Sequence, residues 1–244
     1  MKTIKRIFLG LLVVVVLISF GFVVWAETPL GPAPKALSAL KSDSQVTVTI
    51  DNFITFQPSN TQPTTGFIFY PGGRVDYRSY AAPLREIAVQ GYLVVLVPVH
   101  LNLAFFDINA AQPVFAMHPE IKHWAVGGHS LGGVASALFA KEHPETAGLI
   151  FWASYPADDS FKNSDIKALS IYGTNDMAGM QKFDETKKLL PQNTQFVVMD
   201  GGNHAQFGDY GPQPGDKIAT ISRAEQQRQI VEASVNFLRE LRTP

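Results

Sequence analysis

The stretch that decides the fold is residues 124–133, Trp-Ala-Val-Gly-Gly-His-Ser-Leu-Gly-Gly. Its first three residues are apolar and read as a strand, and a helical stretch follows over residues 131–143. Between them Gly128, Ser130 and Gly132 form a G-x-S-x-G pattern. In a strand-to-helix turn of this kind the serine sits in a strained backbone, and side chains two residues away on either side collide with the chain. Glycines at those places let the turn close and lift the hydroxyl out of the sheet. The helix N-terminus beneath it favours developing negative charge. Ser130 is therefore the candidate nucleophile. His129 is expected to point away from the serine and to support the turn.

Working outward, short and wholly apolar runs recur at residues 66–70, 92–99, 149–152, 168–172 and 196–199. Continuous runs of this kind read as strands buried on both faces of a parallel sheet. Ahead of them Val46, Val48 and Ile50 alternate with polar residues, and 53–56 do so more loosely, which reads as two half-buried antiparallel strands. Helical spacing appears at 80–90, 183–190 and 223–242, with Ser222 and Glu225 forming a capping box at the start of the last. Strands alternating with helices predict an α/β fold, a mainly parallel sheet covered on both faces. The interval between the strands ending at Trp152 and starting near Lys167 is too short for a lid, so no large cap domain is expected.

A serine hydroxyl needs a base. Among the six histidines, His118, His123 and His143 lie in polar contexts and are expected at the surface. His100 closes a strand and could line a pocket, but it precedes the serine. His204, in the stretch Asp-Gly-Gly-Asn-His at 200–204, follows the last strand, which preserves the chain order serine, acid, histidine. Its paired glycines predict a flexible loop. Asp176, after a strand and a glycine turn, is the expected acid that orients the histidine. Asp159 remains an alternative. Oxyanion donors are expected from the amide of Leu131 and from Gly73 or Arg74 in the Pro-Gly-Gly-Arg loop at 71–74.

Together these blocks resemble the α/β-hydrolase superfamily over about residues 66–238. They are FYPGGRVDYRSYAAPL, VPVHLNLAFF, GGHSLGG, FWASYPADD, SIYGTND and GGNHAQFGDYG. More closely, the chain looks like a small bacterial branch of dienelactone-hydrolase-like proteins. The resemblance implies Ser130, Asp176 and His204 as a triad and an oxyanion loop at 72–74. Dienelactone hydrolases carry a cysteine nucleophile where this chain has Ser130, which favours ordinary esters.

The chain of 244 residues is 46% hydrophobic and 17% charged, with a formal charge of −1. That excludes a disordered tail and carries no sign of a nucleic-acid partner. With no cysteine there is no disulfide, thiolate nucleophile or lipidated N-terminal Cys. No histidine or aspartate spacing suggests a metal, and no glycine turn suggests a dinucleotide, so no cofactor is expected.

Lys2, Lys5 and Arg6 precede the uncharged run at 7–26, and no acid occurs before Glu27. As a helix the run spans roughly 30 Å, enough for a bilayer core. The basic flank predicts a cytoplasmic N-terminus and Trp25 an interfacial ring. Residues 1–26 thus read as a transmembrane signal anchor, or as a signal peptide cut after Val-Trp-Ala. Residues 27–40, with three prolines and a glycine, read as a linker too Pro-rich for a helix. Residues 41–244 read as the hydrolase domain, membrane-anchored and extracytoplasmic, or secreted if the segment is cleaved.

The function expected is a carboxylic-ester hydrolase acting through an acyl-enzyme on a small or accessible acyl substrate. Trp152, Tyr155, Phe105, Phe106, Phe207 and Tyr210 are candidates for an aromatic wall. An amidase or acyltransferase on cell-envelope material uses the same triad. A catalytically silent binding protein on the same fold is the alternative from another class.

Overall fold

The structure, a computed structural model, describes residues 2–242. Met1, Thr243 and Pro244, which the expected first and last segments include, lie outside the described residues. Helix α1 (Lys2–Ala26) is followed by α2 (Pro34–Ser38), β1 (Val46–Ile50), β2 (Ile54–Pro58), β3 (Thr65–Tyr70), α3 (Ala81–Val89) and β4 (Leu93–Leu96). Then come α4 (Gln112–Met117), β5 (His123–His129), α5 (Leu131–Glu142), β6 (Thr146–Trp152), β7 (Lys167–Gly173), α6 (Met180–Thr186), β8 (Gln195–Met199) and α7 (Arg223–Glu240).

The strands form one sheet in the order β1-β2-β4-β3-β5-β6-β7-β8. β1 pairs antiparallel with β2 and β2 with β4, while every other pairing is parallel. The apolar runs explain this layout. β3 and β4 are buried along their whole length because helices cover both faces. On one face Phe67, Phe69, Leu169 and Ile171 pack with Leu84 and Ile87 of α3 and with Ile230, Phe237 and Leu238 of α7. Burying each such side chain contributes about 1.5–3 kcal/mol. On the other face Ile68, Tyr70 and Val126 meet Val114 of α4 and Ala135 and Phe139 of α5.

The parallel strands all end on one edge, and the connections there carry the unusual backbone. The non-glycine residues with positive φ among the described residues are Arg74, Leu101, Asn102, Ser130 and Ala153. They follow β3, β4, β5 and β6, so backbone strain is concentrated at this carboxyl edge. Residues 153–166 form only turns and bends, so no cap domain covers it.

The segment 27–40 departs from the expected linker. Pro34 sits in the first turn of α2, where its missing N–H costs nothing. Ala36 is fully buried, and Lys35 donates its Nζ to Gln227 Oε1 at 2.7 Å. Packing therefore begins upstream of Lys41. Helix α1 is long and apolar enough to cross a membrane over Ile4–Ala26, with a mean hydropathy of 3.1.

Candidate active site

The turn between β5 and α5 holds Ser130 at φ 51°, ψ −118°, a left-handed backbone that a non-glycine residue adopts only under constraint. Several contacts impose it. The Ser130 amide donates to the Trp152 carbonyl at 2.9 Å, and the Ser130 carbonyl accepts from Ser154 Oγ at 2.6 Å. The glycines have the steric role read from the motif. A Cβ on Gly128 would lie 2.5 Å from the Tyr70 carbonyl oxygen, and one on Gly132 would lie 2.3 Å from the same atom. Because the Tyr70–Pro71 backbone cannot yield, Gly132→Ala is expected to lose about 1–3 kcal/mol of stability or more, together with activity. Unfolding midpoints of the two proteins check this, and an unchanged midpoint contradicts it.

Asp176 and His204 meet across the edge. Asp176 lies just beyond β7, fully buried, and its Oδ2 accepts from His204 Nδ1 at 2.9 Å. Its other oxygen accepts the Ala178 amide at 2.8 Å. With Nδ1 donating, the Nε2 lone pair is left for a proton from elsewhere. Asp159, the alternative acid, is exposed on the turn after β6. No contact joins it to His204 among the described residues.

The loop carrying His204 is pinned, which departs from the flexible loop expected of its glycines. The Asp216 carboxylate accepts the amides of His204 and Ala205 at 3.3 and 2.8 Å. Gln226 brackets Asn203, its Oε1 accepting the Asn203 amide at 3.0 Å and its Nε2 donating to the Asn203 carbonyl at 2.7 Å. Gly173 has no room for a Cβ, because the Gly202 carbonyl oxygen would lie 2.1 Å away. The loops carrying Asp176 and His204 thus touch backbone to backbone. Asp216 and Gln226 carried no signal in the sequence, since they lie 12 and 22 residues beyond His204 in an unpatterned loop and a helix.

His129 is turned away from the serine into the protein, as its place in the turn predicts. It is buried, and burial drives its pKa well below the usual imidazole value, so the ring is neutral. Its Nδ1 pairs with Tyr80 Oη at 2.8 Å, and Tyr80 Oη accepts the Gly72 amide at 3.1 Å. The ring centroid also lies 4.4 Å from that of His204. His129 therefore packs against the His204 ring and, through Tyr80, holds the loop after β3.

Of the two amides considered on that loop, one is engaged. The Arg74 amide donates to the Asn102 carbonyl at 2.7 Å, which corrects its place as an oxyanion donor. Gly73 takes part in no backbone hydrogen bond among the described residues and faces Leu131. A Cβ built on Gly73 would lie 3.0 Å from Leu131 Cδ2 and 3.6 Å from Leu103 Cδ2.

Ser130 and His204 line a common cavity of about 400 Å³ with Leu131, Tyr155, Met177 and Gln213. Tyr155 alone of the proposed aromatic wall borders it. Trp152, Phe207 and Tyr210 are core residues beneath the site, and Phe105 and Phe106 stand exposed on the loop after β4. His100 points to solvent and pairs with Asp107 at 2.7 Å. His143, expected at the surface, stacks on Phe139 at 3.9 Å. A larger groove of about 480 Å³ between α3 and α7 has neither a serine nor a histidine in its wall.

The profile of the alpha/beta hydrolase family matches residues 66–228, two-thirds of the chain. The chain belongs to the alpha/beta hydrolase family. This α/β hydrolase also has solved structural relatives of the same fold. The crystal structure of TT1662 from Thermus thermophilus aligns at a TM-score of 0.60 with 12% identity, covering 82% of this chain and 99% of that one. The esterase domain of a Rhodothermus marinus protein aligns at 0.60 with 16% identity, covering 80% and 97%. At these identities the likeness is one of fold. No curated protein matches the chain by sequence.

Proposed function

We propose that this hydrolase is a serine carboxylic-ester hydrolase held in a membrane by α1, with its catalytic domain on the extracytoplasmic side. The observation that carries this reading is the buried Asp176–His204 hydrogen bond of 2.9 Å at the rim of the cavity that Ser130 also lines. In the proposed reaction Ser130 Oγ attacks the ester carbonyl while His204 Nε2 takes its proton. Asp176 keeps the proton on Nδ1 and stabilises the imidazolium. The tetrahedral oxyanion is received by the amides of Leu131 and Gly73, backbone donors that need no reorganisation as charge develops. Collapse returns the proton from His204 to the departing alcohol and leaves an acyl-Ser130. Water, activated by the same histidine, then releases the acid.

The membrane reading rests on the apolar span of α1, with Lys5 and Arg6 on its cytoplasmic side. It is further supported by Ala26, fully buried against the domain, which makes the end of α1 part of the folded unit.

A cavity of about 400 Å³ with no cap holds a short acyl group more fully than a long one. Hydrolysis of butyrate esters is therefore expected to exceed that of palmitate esters of the same alcohol, measured as kcat/KM with the detergent-solubilised chain. A clear palmitate preference would defeat the small-acyl assignment.

A further inference from the structure

The junction between α1 and the catalytic edge is built, not merely connected. Arg74 Nε donates to the Trp25 carbonyl and its Nη2 to the Thr28 carbonyl, both at 2.8 Å. The same guanidinium lies 4.3 Å from the centroid of the Trp25 ring. Asn102 Nδ2 donates to the Ala26 carbonyl at 3.1 Å. Leu30 donates its amide to the Arg74 carbonyl at 2.8 Å and accepts the Asp76 amide at 2.9 Å. Carbonyls at a helix C-terminus lack intrahelical partners, and here side chains from the loops after β3 and β4 supply them. Those are the loops that flank Gly73 and Leu131. The helix therefore leaves the domain from the catalytic edge in a fixed direction.

The same edge carries exposed apolar side chains. Phe105 and Phe106 are 49% and 56% exposed, and the Phe106 ring lies 6.4 Å from that of Phe22 on α1. Phe22 in turn lies 5.8 Å from Trp25. Met177 and Ile218, on the loops that follow β7 and His204, are 40% and 89% exposed. Adjacent exposed phenylalanines are unfavourable in water, and aromatic rings beside the end of a spanning helix are favoured at the membrane–water interface.

We propose that the catalytic edge rests on the bilayer that α1 enters, with Phe105 and Phe106 in its interface, so that the site takes an amphiphilic ester from the membrane surface. This rests on the ester-hydrolase reading, which supplies the reaction. The anchor sets the orientation and the aromatic loop sets the depth. Leu103, three residues before Phe106, lies beside Gly73, since a Cβ on Gly73 would come 3.6 Å from Leu103 Cδ2, so the aromatic loop adjoins the edge that holds Ser130 and an ester group at headgroup depth comes within its reach.

The test uses the full chain reconstituted in phosphatidylcholine–phosphatidylglycerol vesicles. Since the chain has no cysteine, Phe106→Cys carries one nitroxide label, and so does Asn60→Cys, an exposed reference on the opposite edge where β3 begins. The label at 106 is expected to collide with oxygen several-fold more, relative to an aqueous nickel chelate, than the label at 60. Equal ratios at the two positions overturn the proposal. The double variant Phe105→Ser, Phe106→Ser is expected to lose hydrolysis of a long-chain alcohol butyrate held in the vesicles while keeping that of water-soluble ethyl butyrate. Equal loss on both substrates, or loss on neither, also overturns it. If wild type cleaves neither substrate, the ester-hydrolase reading fails. If it cleaves ethyl butyrate while the labels agree, only the membrane-facing proposal fails.

Discussion

Ser130→Ala is expected to lower kcat for ester hydrolysis by about 10⁶-fold, the scale seen when a serine nucleophile is removed from a working triad. The fold should be unaffected. The contacts that hold the turn use the Ser130 amide and carbonyl, which bond to Trp152 and to Ser154 Oγ, and alanine keeps both. An unchanged unfolding midpoint with lost turnover would therefore separate chemistry from stability. Residual hydrolysis within tenfold of wild type would mean that another group attacks the ester.

Asp176→Asn is the second large effect, expected at about 10⁴-fold in kcat. The amide oxygen can still accept from Ala178, as Asp176 Oδ1 does at 2.8 Å, so the loop keeps its shape. The NH₂ group then faces His204 Nδ1 and stabilises the tautomer with its proton on Nε2, which cannot accept one from Ser130. Asp159→Asn is expected to leave kcat unchanged, because Asp159 is exposed and its carbonyl serves only a local turn to Lys162 at 3.0 Å. Steady-state kinetics of both variants check the pair. A loss confined to Asp159→Asn would reverse the assignment.

What could be read in the sequence was what is local. The elbow at Ser130 is specified by steric demands within a few residues, which only Gly128 and Gly132 meet, so its motif carries its own geometry. The buried strands were legible because helices on both faces leave no exposed position in β3 or β4, so residues 66–70 and 93–96 are apolar throughout. The N-cap likewise lies within one helical turn, with Ser222 Oγ accepting the Glu225 amide at 3.1 Å, while the Glu225 carboxylate turns to Arg228 and Gln229 and does not close the expected box.

The parts that could not be read depend on loops meeting across the edge. Whether Gly73 or Arg74 offers a free amide is decided by Asn102, on the loop after a different strand. The rigidity of the His204 loop comes from Asp216 and Gln226, while its own residues, Asp-Gly-Gly-Asn, suggest freedom. Residues 27–40 look like a tether by composition because prolines occur in both linkers and first helical turns. Their packing becomes visible only once Ala36 is seen buried and Leu30 bonded to the loop after β3. The aromatic wall failed for a related reason. Trp152 and Phe207 are close to Ser130 in the fold but lie under the sheet edge, where the core needs large side chains more than the cavity does.

The most direct test of Ser130 as an activated nucleophile is reaction of the purified full chain, in detergent, with a fluorophosphonate probe, followed by mapping of the adduct by mass spectrometry. One adduct on the peptide containing Ser130, absent from Ser130→Ala, is the result expected of a serine activated by His204 and Asp176. A well-folded wild-type chain that takes no label, or takes it on another residue, would contradict that assignment.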